Sequence, residues 1–251
     1  YAIPTVSNFY VGAVSRGMPV PGVTASNLYF GANAEFKNEA LSTCVHAEQS
    51  ATMNAWINGE TGLQSLAVNA APCGYCRQFL YELVTQEHFK VLLPDGQGGD
   101  YTSNPLSYYL PDAFGPHDLG KDCGMMDPKY CDHNLSLEGG SEDPLALRAL
   151  DAAKHSYAQY SKNYSGCAIQ MADGAIYTGR YAENAAYDPS LSPLESAITF
   201  MNMNAPQPVD YSINRAVLVE SPTIISQKNN TLNVLSSFAP GVQLEYHKVI
   251  P

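Results

Sequence analysis

Two short runs hold the side chains best suited to chemistry: His46-Ala47-Glu48 and, further on, Pro72-Cys73-Gly74-Tyr75-Cys76. Each falls at the expected start of a helix, with a short strand between the two helices. A helix–strand–helix unit runs its helices side by side, so their N-termini converge. Helix N-termini carry partial positive charge and unpaired N–H groups, which favour thiolate over thiol. One imidazole nitrogen and two thiolates supply three ligands for a tetrahedral zinc ion. A catalytic zinc site keeps its fourth position open, whereas a structural one closes it. Glu48, two positions beyond His46, points away from the ligand direction but stays within reach of a water that zinc brings to a pKa of about 7. A carboxylate there accepts a proton and passes it on. The set suits hydrolytic displacement at a carbon of an electron-poor ring. Alone, Cys-x-x-Cys would equally serve a structural metal or thiol–disulfide exchange; the upstream His-x-Glu and the preceding proline weigh against both.

The surrounding pattern alternates strands and helices. Residues 9–14 and 27–32 read as a strand pair, with turn chemistry at 16–22 between them. Residues 45–57 read as an amphipathic helix closed by Asn58-Gly59. Leu66-Ala67-Val68 reads as a short buried strand, 73–84 as a second helix with Phe79, Leu80 and Leu83 on its apolar face, and 91–93 as a third strand. Alternation of this kind indicates a layered α/β domain over residues 1–93. Residues 94–143, rich in Gly, Pro, Asp, Ser and Tyr, read as a long connector, a length that implies a job of its own. From 144 to 251 the chain echoes its first block. Tyr29-Phe30-Gly31-Ala32-Asn33-Ala34-Glu35 recurs as Tyr177-Thr178-Gly179-Arg180-Tyr181-Ala182-Glu183, Gln49-Ser50-Ala51 as Glu195-Ser196-Ala197, and 68–72 as 219–222. In that echo His46 falls near Ser192, Glu48 near Leu194, Cys73 near Thr223 and Cys76 near Ser226, so every metal-binding group is absent.

Thirteen Lys and Arg against 24 Asp and Glu give a net charge of −11. Sequence-independent nucleic-acid affinity comes from cationic contacts, so the balance argues against a DNA or RNA substrate. No apolar run approaches the roughly 18 residues of a membrane helix, and no signal-peptide pattern opens the chain. Six cysteines in 251 residues do not make a disulfide scaffold, and a reducing cytoplasm suits them best. Cys44 reads as a small buried thiol. Cys123, Cys131 and His133 match no metal spacing and read as ordinary connector residues. Arg77 reads either as a screen for the neighbouring thiolate or as a surface residue.

His-x-Glu followed by Pro-Cys-x-x-Cys is the signature of the zinc nucleobase deaminases. The ordered runs 7–13, 31–35, 45–51 and 71–79 resemble those of cytidine deaminases. Leu110-Pro111-Asp112-Ala113-Phe114-Gly115-Pro116 and Tyr181-Ala182-Glu183-Asn184-Ala185-Ala186 resemble the two-domain, homodimeric branch of enteric bacteria and plants. That branch usually carries a helical segment before the first strand, where this sequence has only Tyr1 to Val6. The resemblance implies a three-layer α/β/α sandwich, duplicated as an active domain over 1–93 and a degenerate one over 144–251 without a zinc site, with the connector 94–143 covering the active site. It implies one Zn²⁺ per chain, held by His46, Cys73 and Cys76, with Glu48 as the catalytic acid–base. Asn33 and Glu35 would hold the ribose 3′-hydroxyl, Phe9 would pack on the pyrimidine, and the backbone at Ala47 and Ala71 would meet its polar edge. Phe114 would cover the base from the partner subunit. The implied reaction is deamination of cytidine and 2′-deoxycytidine in cytoplasmic pyrimidine salvage. The rivals are a deaminase of a related nucleoside or of a nucleotide such as dCMP, and a non-catalytic zinc nucleoside-binding protein.

Overall fold

The computed structural model describes residues 1–19, 22, 25–96 and 99–250; part of the expected turn at 16–22 lies outside them. The chain forms two compact units, one of Tyr1–Ala34, Val45–Asp127 and Asn184–Ser190, the other of Glu35–Cys44, Pro128–Glu183 and Leu191–Pro251.

In the first unit β1 (Gly12–Gly17) and β2 (Leu28–Ala32) pair antiparallel. Two short strands, β3 (Ala34–Glu35) and β4 (Cys44–Val45), of which Ala34 and Val45 belong to this unit, precede helix α1 (Ala47–Ile57). Strand β5 (Leu63–Val68), helix α2 (Gly74–Tyr81), strand β6 (Lys90–Pro94), strand β7 (Tyr101–Pro105) and the one-turn helix α3 (Leu106–Tyr109) follow. The sheet order is β2-β1-β5-β6-β7, and only β5 and β6 run parallel. Contact between β2 and α1 requires Gly31: a Cβ there would lie 2.1 Å from the Ala51 amide nitrogen. Ser15 donates from its hydroxyl to the Ala51 carbonyl, 2.9 Å, and ties β1 to the same helix.

The second unit repeats this plan. After β8 (Ser136–Leu137) come α4 (Pro144–Lys154), β9 (Ser165–Met171), β10 (Ile176–Arg180), α5 (Pro193–Asn204), β11 (Ile213–Glu220), α6 (Lys228–Phe238) and β12 (Leu244–Ile250). Its order is β10-β9-β11-β12-β8, with β11 and β12 the one parallel pair. The ladders give a residue-by-residue match. Ala13 faces Gly31 and Val68, and Cys167 faces Gly179 and Leu218. A Cβ on Gly179 would sit 2.1 Å from the Ala197 amide nitrogen, the counterpart of the Gly31 approach. Helix α4 covers one face of this sheet and α5 with α6 the other, an α/β/α sandwich around Ala149, Ala168, Val217 and Val219.

Several sequence expectations shift. Register pairs Val68 with Leu218 rather than Val219, so 68–72 matches 218–222. Helix α6 begins only after Gln227, which makes Gln227 the counterpart of Cys73 at the cap instead of Thr223. Helix α1 is not amphipathic: Ala47 through Trp56 are all buried. It is enclosed by β1, β2 and α2, and by the segment Asn184–Ser190, so it presents no polar face. The connector is not bare loop either, since β7 completes the first sheet and β8 the second.

Candidate metal centre

Helix α1 begins with His46 in extended conformation (φ −81°, ψ 154°). Gln49 reaches back, its Oε1 accepting from the His46 amide at 3.1 Å. The His46 imidazole stacks on Tyr75, with ring centroids 5.1 Å apart. Helix α2 begins the same way, with Cys73 as an extended N-cap whose carbonyl accepts the first helical bond, from Arg77. Cys76 stands three residues on, so both sulfurs lie at one helix end.

These donors meet. His46 Nδ1 is 3.6 Å from Cys73 Sγ and 3.2 Å from Cys76 Sγ, and the sulfurs are 3.7 Å apart. Zinc bonds of about 2.3 Å to sulfur and 2.0–2.1 Å to nitrogen make tetrahedral edges of about 3.8 Å (S–S) and about 3.5 Å (S–N), so the set fits the ion. Among the described residues this is the one group of three or more His, Cys, Asp or Glu side chains that is placed to hold a metal. Cys73 is exposed and its thiol pKa is pulled down to about 3, first by the hydrogen bond from Cys76. Cys76 is shifted upward because it donates that bond and is buried.

Glu48 is only 4% exposed and hydrogen-bonds with Cys76. Burial raises its carboxyl above the ordinary carboxylate range. It sits beside the donor cluster without belonging to it. Arg77 is half-buried. Its guanidinium donates to the Pro72 carbonyl (2.8 Å) and the Tyr109 carbonyl (3.1 Å), pinning the turn that presents Cys73.

The expected substrate residues divide. Phe9 is 60% exposed. Asn33 holds its segment, with Oδ1 accepting from the Val11 amide (3.0 Å) and Nδ2 donating to the Phe9 carbonyl (2.9 Å). Ala47 is fully buried in the first turn of α1, and Ala71 is exposed in the turn before Cys73. Phe114 is exposed, and its carbonyl accepts from Gln78 on α2. Glu35 is half-buried at the end of β3 and falls in the second unit.

Sequence reasoning missed the contribution of Asn184–Ser190. Gln49 Nε2 donates to the Pro189 carbonyl (3.2 Å), Asn184 Nδ2 to the Gln78 carbonyl (3.0 Å), and the Ala185 amide to buried Glu82 (3.0 Å). The signal available was Glu82, a carboxylate at the C-cap of α2, where it is buried. Cys131 is buried in the second unit, and His133 stacks on Tyr164 there and bonds the Ser156 carbonyl, as ordinary packing residues do. Cys44 is half-buried.

A sheet of this order, with a His/Cys/Cys donor set at two helix ends and a buried carboxylate beside it, defines the class of zinc-dependent deaminases. Comparison agrees. Residues 1–91 and residues 106–232 each match a family model described as the cytidine and deoxycytidylate deaminase zinc-binding region. The chain is 44% identical over 247 residues to the cytidine deaminase of Aliivibrio fischeri, covering 98% of this chain and 77% of that one. It is 45% identical over 249 residues to that of Histophilus somni, covering 99% and 76%. Among solved structures it is similar to the cytidine deaminase of Burkholderia pseudomallei (31% identity, 45% of this chain and 87% of that one, TM-score 0.37). The chain belongs to the cytidine deaminase family.

Proposed function

We propose that the first unit hydrolyses the C4 amino group of cytidine and 2′-deoxycytidine, consuming water and yielding uridine or deoxyuridine and ammonia. The observation that carries this is the triangle of His46, Cys73 and Cys76 donors at zinc-ligand spacing with buried Glu48 against it. Zinc held by these three residues supplies the Lewis acidity that lets water lose a proton near neutrality. Glu48 takes that proton, delivers it to N3 of the base as the C4–O bond forms, and then assists departure of the amino group. Phe9 packs on the pyrimidine face, and the backbone at Ala47 and Ala71 meets its polar edge. Asn33 and Glu35 orient the ribose 3′-hydroxyl, where a carboxylate would repel a phosphate. Asn33 retains one N–H and one lone pair for this after bonding Phe9 and Val11. The protein works as a homodimer in cytoplasmic pyrimidine salvage. The residues 94–143 cover the site, and Phe114 closes over the base of the partner's site.

Ammonia release tests the reading. Zinc-loaded protein is given cytidine, deoxycytidine and their monophosphates, with Glu48→Gln as control. Turnover of the nucleosides alone, lost in the control, is expected; turnover of the monophosphates would move the assignment to a nucleotide enzyme.

A further inference from the structure

We infer that Asn69 is a positioning residue that, together with Asn33, fixes the Phe9 ring for substrate. The inference rests on the reading that Phe9 packs on the base. The segment Phe9–Gly12 enters β1 clasped by two carboxamides. Asn33 takes the Val11 N–H and the Phe9 carbonyl, and Asn69 takes the Gly12 N–H (3.0 Å) and the Tyr10 carbonyl (3.3 Å). In an extended segment, residues two apart present their backbone groups to the same side. A carboxamide, with donor and acceptor in one plane, stands in for a neighbouring strand. The backbone joins in, as Asn33 N donates to Val11 O and Asn69 N to Gly12 O, each at 3.2 Å. Asn69 directly follows β5, in the turn that leads to Pro72 and Cys73, so one side chain ties the aromatic segment to the segment bearing the metal ligands.

The second unit shows what happens without this clasp. By ladder register Asn69 corresponds to Val219, a buried core residue, and Phe9 to Asn163, which is also buried. The exposed ring and the carboxamide that holds it are absent together. Asn69 is itself exposed, so a packing role does not account for it.

Steady-state kinetics of the zinc-loaded full chain on cytidine test this with Asn69→Val, Phe9→Ala and the double variant. Asn69→Val is expected to raise KM about fivefold, the effect of losing two exposed hydrogen bonds, while kcat stays within about twofold and zinc content holds. In the double variant KM should equal that of Phe9→Ala alone, since Asn69 acts through that ring. An unchanged KM, multiplicative effects in the double variant, or a fall in kcat with lost zinc would overturn the inference. Should Asn69→Val not fold, Asn69→Asp keeps the acceptor for Gly12 and loses the donor to Tyr10. A KM rise of about threefold is then expected and none would overturn it. A wild type that leaves cytidine untouched would overturn the functional reading and this one with it; turnover with an unmoved KM overturns only this one.

Discussion

The two units share a frame and differ at its open end. The turn before the first long strand is built alike in both. Phe9 N donates to Ser7 Oγ and Asn163 N to Ser161 Oγ, each at 3.1 Å, and the residues between, Asn8 and Lys162, have φ of 55° and 59°. At the next position one unit exposes a phenyl ring, and the other buries an amide that donates to Glu220 (3.2 Å) and the Ser221 carbonyl (2.8 Å). Glu220 in turn accepts from the Gln227 amide (2.7 Å), Tyr246 (2.9 Å) and Ser226. At the helix starts the contrast repeats. Ser192 caps α5 with its hydroxyl, whereas His46 at the start of α1 brings a ring nitrogen to 3.2 Å from Cys76 Sγ. Asn230 of α6 reaches Glu195 at 3.4 Å, whereas Cys76 of α2 reaches His46. At the matching end the second unit is closed by a hydrogen-bond network centred on Glu220, and the first unit gathers one imidazole and two thiols at zinc-ligand spacing.

The largest effect expected on this contrast comes from Glu48→Gln. It should lower kcat about 10³-fold with zinc retained, measured by ammonia release and metal analysis. Glu220→Ala leaves several buried donors of the second unit without an acceptor. It should cost about 3 kcal/mol by urea denaturation while kcat per bound zinc holds.

Exchanging the two third-position residues sharpens the comparison. Gln49→Glu sets a carboxylate against the Pro189 carbonyl and removes a donor, so a loss of about 2 kcal/mol is expected. Glu195→Gln should do the reverse, with a pH signature. Burial raises the Glu195 carboxyl, so the folded state resists its ionisation. That group's contribution is intact below the ordinary carboxylate value and is lost as pH rises through the raised one. The variant should match wild type near pH 4 and melt a few degrees higher at pH 8.

The smallest effect belongs to Arg215, which bridges Asp143 and Glu245 at 2.7 Å each on the rim of the second unit. Its bond holds the Asp143 carboxyl below its usual range. Arg215→Ala should cost at most about 1 kcal/mol at pH 7, since the pairs are part-exposed. The difference from wild type should disappear as pH falls through that depressed value, once Asp143 is protonated.

The metal centre was legible because its parts are local. His-x-Glu and Cys-x-x-Cys lie within single turns, and a helix start is written in the residues around it. The duplication was legible through Gly31 and Gly179, which the close helix approach demands in both copies. What escaped depends on contacts distant in sequence. The bonds from Gln49 to Pro189 and from Ala185 to Glu82 bring Asn184–Ser190 into the first unit and leave no local pattern. The full burial of α1 follows from the same enclosure. The late start of α6 escaped because Pro222 aligns with Pro72 and extra residues then delay the helix. Asn69 reads as an ordinary strand-end residue until its two bonds to 10–12 are seen.

The count of zinc per chain tests the central claim, that metal chemistry belongs to one copy. Metal analysis of the purified chain should give one equivalent, falling to none in Cys76→Ala. Two equivalents in the wild type, or one retained in that variant, would contradict the account.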